Sequence, residues 1–354
     1  MLSAQQAENG MPLISAHSYD INDTRYLQDI TSSRSRVVGA VVHSMAPLLT
    51  WTGCETATAT ATDGNPSANA DVDLEARANA ITNTDDVLFA DVSQNSVNMC
   101  TSMAFVHAYT LRYVLQKLPL PAPQLSAVYA YYFQRIQECM AFDVCKCTAG
   151  CGAGTCATPA ACDPPCMDCG SYLASAASVF SRGVCTSTLW PYTVSINAEP
   201  DGAALASADQ HRITAMACVP VGRPFLPSCV HWLATDVPVV VFLNLTPVQV
   251  TWMQARQNAY NVRVDGVFDT VLPPFVDQED ASLYVGHAVL VVGVRRRFFI
   301  LRNNFGNAWG ARGRFCIDTR FAATAQFHTA VAVSNVVGTL IRSSSAPAMS
   351  APGV

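Results

Sequence analysis

Ser93–Gln94–Asn95–Ser96–Val97–Asn98–Met99–Cys100–Thr101–Ser102–Met103–Ala104–Phe105 sets one cysteine at the foot of an apolar segment, six residues after a glutamine. From Thr101 to Leu118 the chain holds neither Gly nor Pro and is rich in long apolar side chains. Met103, Val106, Tyr109, Leu111, Val114, Leu115 and Leu118 fall on nearly every face of a helix, which predicts a buried one. Cys100 then stands at the helix N-terminus, where unpaired N–H groups and the macrodipole favour a thiolate, the nucleophilic form. Gln94 can offer an amide donor to an oxyanion if the loop folds back. For Cys100 alone the plainer reading is a buried structural cysteine. Its partners decide the matter.

Two partners stand far downstream. Gly286–His287–Ala288–Val289–Leu290–Val291–Val292–Gly293–Val294 reads as a β-branched strand opened by a histidine, and Phe298–Phe299–Ile300–Leu301–Arg302–Asn303 as its return. The separation of 16 from His287 to Asn303 suits a hairpin that sets the two side by side. A base needs a third group to fix its tautomer, and an Asn carbonyl can do so.

Gln94-x5-Cys100, Gly286–His287–Ala288–Val289 and Asn303–Asn304–Phe305–Gly306-x2-Trp309–Gly310-x2-Gly313 together resemble the papain-like (cathepsin-type) cysteine proteases, a Cys-His-Asn family. Gly183–Val184–Cys185 with Trp190–Pro191–Tyr192, and the Cys100–Thr101 pair, look like the branch found in bacteria and large DNA viruses. The blocks follow the family's order over residues 85–335. The resemblance implies a catalytic set of Cys100, His287, Asn303 and Gln94. It also implies substrate contacts at Asn98, Met99, Gly286, Phe305 and Trp309, and no cofactor. The chain departs from the pattern at Asn95 and Asn98, which replace glycines, although Asn tolerates a left-handed backbone. Val97 replaces a cysteine that forms a bridge in the family, and Phe305 replaces a tryptophan over the His–Asn bond.

The 354 residues are 50% hydrophobic, enough for one large core or two modest ones. Charged residues make up 13% and the net charge is −5, which argues against a nucleic-acid surface. Arg295–Arg296–Arg297 reads as the solvated tip of the hairpin. Met1–Gly10 shows no secretory signal, and Val37–Trp51 is too short and too interrupted to span a membrane. Asn22–Asp23–Thr24 and Asn244–Leu245–Thr246 match glycosylation acceptors that are expected to be idle without such a signal. A cytoplasmic or virion-packaged monomer is expected, acting on protein or peptide substrates, with neither nucleic acid nor membrane as partner.

In order, residues 1–75 occupy the place of a propeptide, ending in an Ala/Thr linker over 54–73 that is the expected cleavage zone. The peptidase domain is expected over 76–342. Its helical lobe covers 92–205, and its sheet lobe 76–91 and 206–342. Further helices are expected over Ser126–Cys139, Ser171–Arg182 and Cys229–Ala234, and strands over Val239–Leu245, Ala288–Val294, Phe298–Arg302, Arg314–Ile317 and Ala330–Val337. The result is α+β: a helical left lobe, an antiparallel barrel-like right lobe and a cleft between them. Residues 343–354 read as a disordered tail.

Eight cysteines fall within 139–169, lengthening the Cys100-to-His287 distance to 187 residues. Disulfides are one reading of this insert. Zinc held by Cys145, Cys147, Cys166 and Cys169 is the other. His107 and His231 read as packed or partly exposed, and His17, His43, His211 and His328 have no partner pattern. The function expected is a cysteine endopeptidase; a papain-fold amidase or transglutaminase-type enzyme and a catalytically silent binding module are the alternatives.

Overall fold

A computed structural model describes residues 71–83, 89, 92–94, 97–142, 170–257, 270–277 and 283–338. Residues 1–70 of the upstream extension (His17 and His43 among them), Asn95, the Cys-rich insert beyond residue 142 and the C-terminal tail lie outside the described residues.

Its centre is α2, Cys100–Leu115, in which every residue except Arg112 is buried. Apolar side chains on all faces leave this helix no solvent side, so protein must surround it. It touches α1 (Leu74–Thr82), α3 (Ala127–Phe142), α4 (Leu173–Arg182) and three sheet strands. The helix ends three residues before the expected Leu118. Lys117 adopts a left-handed φ of 55°, and the Lys117 and Leu118 amides turn back to Val114 and Tyr113. In α3, Ser126 Oγ accepts the Tyr129 amide at 3.1 Å, a side-chain cap at the expected start.

The sheet has seven strands, all paired antiparallel. They are β1 (Val72–Asp73), β2 (His211–Cys218), β3 (Val239–Leu245), β4 (Val285–Arg295), β5 (Phe298–Arg302), β6 (Arg314–Asp318) and β7 (Phe327–Gly338). Their order is β2-β7-β3-β4-β5-β6, with β1 added against β4, so the sheet stays open where a barrel-like closure was expected. β3 and β4 are buried almost throughout, as their β-branched runs require. Asn244, in one glycosylation-like triplet, is buried in β3 and donates to Ala325 O at 2.8 Å.

Three further α-helices, α5 (Gly202–Ala208), α6 (Phe225–Ala234) and α7 (Pro247–Gln257), and a short 3-10 helix, Thr319–Ala323, complete the described elements. The triple-arginine turn is exposed, and its Arg296 amide donates to Asp71 Oδ1 at 3.0 Å.

Residues 71–75, assigned above to the extension, pack as part of the sheet lobe. Val72 pairs with Val294 and Asp73 with Gly293. A Cβ on Gly293 would lie 2.3 Å from Val72 O, so glycine is what lets β1 approach. Asp73 caps α1 by accepting the Ala76 amide at 3.1 Å.

Candidate functional site

Cys100 opens α2 and is 8% exposed. Met99, the residue before it, makes no side-chain cap, so no side chain competes for the first-turn amides. Burial pushes the Cys100 thiol up, while hydrogen bonding to backbone N–H groups of Ala288, Thr101 and Cys100 itself pulls the other way. Asn304 Nδ2, bonded to both Cys100 O and Ala288 O, sets the start of α2 against β4 one residue after His287. Thr101 faces the other way, its hydroxyl donating to Gln134 Oε1 of α3 at 3.0 Å.

His287 and Asn303 meet across the β4–β5 hairpin, with Nε2 to Oδ1 at 2.8 Å. The same Oδ1 accepts the Asn304 backbone amide at 2.9 Å. An amide N–H can only donate, so the atom facing it is oxygen, and His287 Nε2 must carry the proton. Nδ1 of the neutral ring is then the basic nitrogen. Burial holds His287 down to about 4, with the Asn303 hydrogen bond opposing that shift. Taken singly, both groups are thus driven toward their neutral forms. A thiolate and an imidazolium can form here only together, by transfer of one proton, each charge offsetting the desolvation of the other.

Asn304 ties the walls of the site together, a role its place in the sequence motif does not reveal. Its Nδ2 donates to Cys100 O at 3.2 Å and to Ala288 O at 2.7 Å, while its backbone carbonyl accepts the Gln94 backbone N–H at 2.9 Å. Gln94 is 1% exposed and its Oε1 has no partner. It is held beside the loop that follows Asn303 by that backbone bond and by the Ser93–Phe305 bridge.

Phe305 stacks on His287 with centroids 5.5 Å apart and planes 21° off parallel. Trp309 meets Phe305 edge to face at 5.7 Å and anchors its indole N–H on Met253 O of α7 at 3.2 Å. Both rings are buried, so they shelter the histidine. Their packing fits that service better than direct contact with a substrate.

The other expected contact residues are scattered in exposure. Asn98 is half-buried, Met99 buried and Gly286 exposed. A Cβ on Gly286 would lie 2.3 Å from Phe242 Cζ, so the Phe242 ring fills the space that a side chain there would take. Gln94 and Met99 also line a cavity of about 580 Å³ with residues 192–196; neither Cys100 nor His287 lines it.

His107 is neutral inside α2, held down to about 3 by burial and by Arg302 nearby. Among the described residues no group of His, Cys, Asp or Glu has the makings of a metal site; Cys145, Cys147, Cys166 and Cys169 lie outside them. Cys100, Cys185, Cys229 and Cys316 are buried free thiols. No described helix is long and apolar enough to cross a membrane.

No protein-family profile matches the sequence, and no curated protein matches it. Solved structures do. Xylellain, a cysteine protease from Xylella fastidiosa, aligns at TM-score 0.51 and 20% identity, over 76% of this chain and 86% of that one. The Carica candamarcensis cysteine protease CMS1MS2, in complex with E-64, aligns at 0.46 and 14%, over 76% and 99%. Procathepsin L 3 of the Tenebrio molitor larval midgut aligns at 0.45 and 17%, over 76% and 70%. At such identity the likeness to xylellain is one of fold: mixed helices and antiparallel sheet in the papain-like arrangement.

Proposed function

We propose that the chain is a cysteine endopeptidase in which Cys100 is the nucleophile, His287 the acid–base, Asn303 its orienting partner and Gln94 an oxyanion donor. The observation that carries this reading is the Nε2–H of His287 held on Asn303 Oδ1, which leaves Nδ1 basic on the strand to which Asn304 ties the Cys100 backbone. Nδ1 takes the thiol proton as sulfur attacks a peptide carbonyl. A C–S bond forms, and the negative oxygen is met by the Gln94 amide and the Cys100 N–H. Collapse breaks the C–N bond while Nδ1–H protonates the departing amine. Water, losing a proton to Nδ1, then attacks the thioester, and C–S cleavage returns the thiol.

Protein or peptide substrates follow from that chemistry. The Cys100–Thr101 pair and the Gly183–Val184–Cys185 block favour the branch found in bacteria and large DNA viruses. A monomer built from the peptidase domain and an N-terminal extension fits the expected domain plan.

Peptide-library cleavage by the full chain, with and without reducing agent and beside Cys100→Ala, tests the reading. Thiol-dependent cleavage that Cys100→Ala abolishes is the expected result. Cleavage retained by Cys100→Ala, or an epoxysuccinyl reagent labelling some other cysteine, overturns it.

A further inference from the structure

We infer that Glu75 is a positioning residue for the His287–Asn303 pair, acting through the guanidinium of Arg302. Arg302 ends β5 immediately before Asn303, and its side chain is 3% exposed. Its Nε donates to Glu75 Oε1 at 2.9 Å and its Nη2 to Glu75 Oε2 at 3.2 Å, a bidentate pair. Nη1 donates to Asn307 Oδ1 at 3.0 Å and to Arg312 O at 2.7 Å. One buried cation thus fastens α1 to both limbs of the loop that carries Asn303, Asn304, Phe305 and Trp309.

The loop closes hard against that cation. The Asn303 amide donates to Gly313 O at 2.8 Å, and a Cβ on Gly313 would come 2.2 Å from Arg302 Nη1. Phe89 covers the guanidinium, 4.6 Å from the ring centroid. Arg314, on the neighbouring strand, completes the cluster, 3.2 Å from Asp73 Oδ2 and 3.8 Å from Glu75 Oε2.

Removing only the carboxylate leaves a buried guanidinium without its counter-charge. The loop must then shift to let it reach water, and Asn303 Oδ1 shifts with it. A positioning role predicts loss of the His287–Asn303 bond beyond any loss of stability. Its catalytic meaning rests on the peptidase reading, but the bond itself is measurable without turnover.

The test follows solvent exchange of the His287 Nε2 proton by NMR in full-chain variants, with thermal unfolding alongside. Glu75→Gln is expected to exchange that proton at least about tenfold faster than wild type. Glu75→Leu/Arg302→Met replaces the charged pair with apolar volume, so it keeps a near-native melting temperature and still exchanges faster. Glu75→Asp, which keeps the charge, is expected to stay within about threefold of wild type. On peptides, Glu75→Gln should lower kcat about tenfold with KM little changed. Wild-type exchange in a folded Glu75→Gln or in the double variant overturns the proposal. If the wild-type chain shows no Cys100-dependent cleavage, the peptidase reading fails instead, and the proton comparison still decides the role of Glu75.

Discussion

Asn303 Oδ1 accepts from His287 Nε2 at 2.8 Å and from the Asn304 amide at 2.9 Å, so the orientation of the carboxamide and the tautomer of the imidazole are fixed by a single backbone donor. Asn303→Ala removes the acceptor and frees the ring to rotate beneath Phe305. The expected cost is about 10- to 100-fold in kcat with KM little changed, against complete loss in Cys100→Ala. Steady-state kinetics of the two variants check this; equal losses would mean that Asn303 does more than orient.

Gln94 is buried, and its backbone N–H on Asn304 O fixes where its carboxamide starts out beside the site. Gln94→Ala is therefore expected to lower kcat about 10²-fold while iodoacetamide still alkylates Cys100 at the wild-type rate. A parallel fall in alkylation would place Gln94 in thiol activation instead.

The helix start at Cys100 and the His287–Asn303 contact were legible because they lie in short local patterns: a cysteine opening an all-apolar helix, and a histidine and asparagine facing each other across one hairpin. Strand β3 was legible for a similar reason, its run of β-branched residues matching burial on both faces. Glu75 was not, since nothing local distinguishes it from any acidic residue in a first helical turn, and its partner is 227 residues away. β2 escaped because it lies at a sheet edge and its sequence, His211–Cys218, alternates poorly. α7 carried a signal that went unread. In Thr246–Pro247–Val248–Gln249 the Gln249 amide donates to Thr246 Oγ1 and the Thr246 amide to Gln249 Oε1, a capping box with proline at the first helical position.

Two buried neutral histidines predict acid lability. His287 is held down to about 4 and His107 to about 3, chiefly by burial. Below the unfolded value of about 6.5 the unfolded chain takes up protons that the native one refuses. The stabilisation is therefore whole above that pH and is lost as pH falls toward 4 and then 3. At pH 5 the loss is about 2 kcal/mol for each ring. Urea unfolding at pH 8 and pH 5 measures it, and His107→Phe, which keeps an aromatic against Phe89, should remove one share of the difference.

Gly286 precedes the histidine, and the Phe242 ring fills the space where its Cβ would stand. Gly286→Ala is expected to cost about 1–3 kcal/mol by overpacking. If the ring is the cause, Phe242→Leu in the same chain recovers most of it. Calorimetric melting of the single and double variants measures the coupling, and additive effects would exclude that cause.

The buried Glu75–Arg302 pair also limits where the extension can be cut without harm to the rest. A cut before Asp71 spares β1, the Asp73 cap and Glu75, so a chain starting there should melt as the parent domain does. Starting instead at Arg77 removes Val72 and Asp73 from β4 and strips the counter-charge from Arg302. Breaking a buried pair from one side costs about 3–5 kcal/mol. The shorter chain should therefore melt many degrees lower or fail to fold, and adding Arg302→Met to it should recover part of the loss. Equal melting of the two truncated chains would show that residues 71–75 are dispensable packing, and an activating cut could then fall within α1.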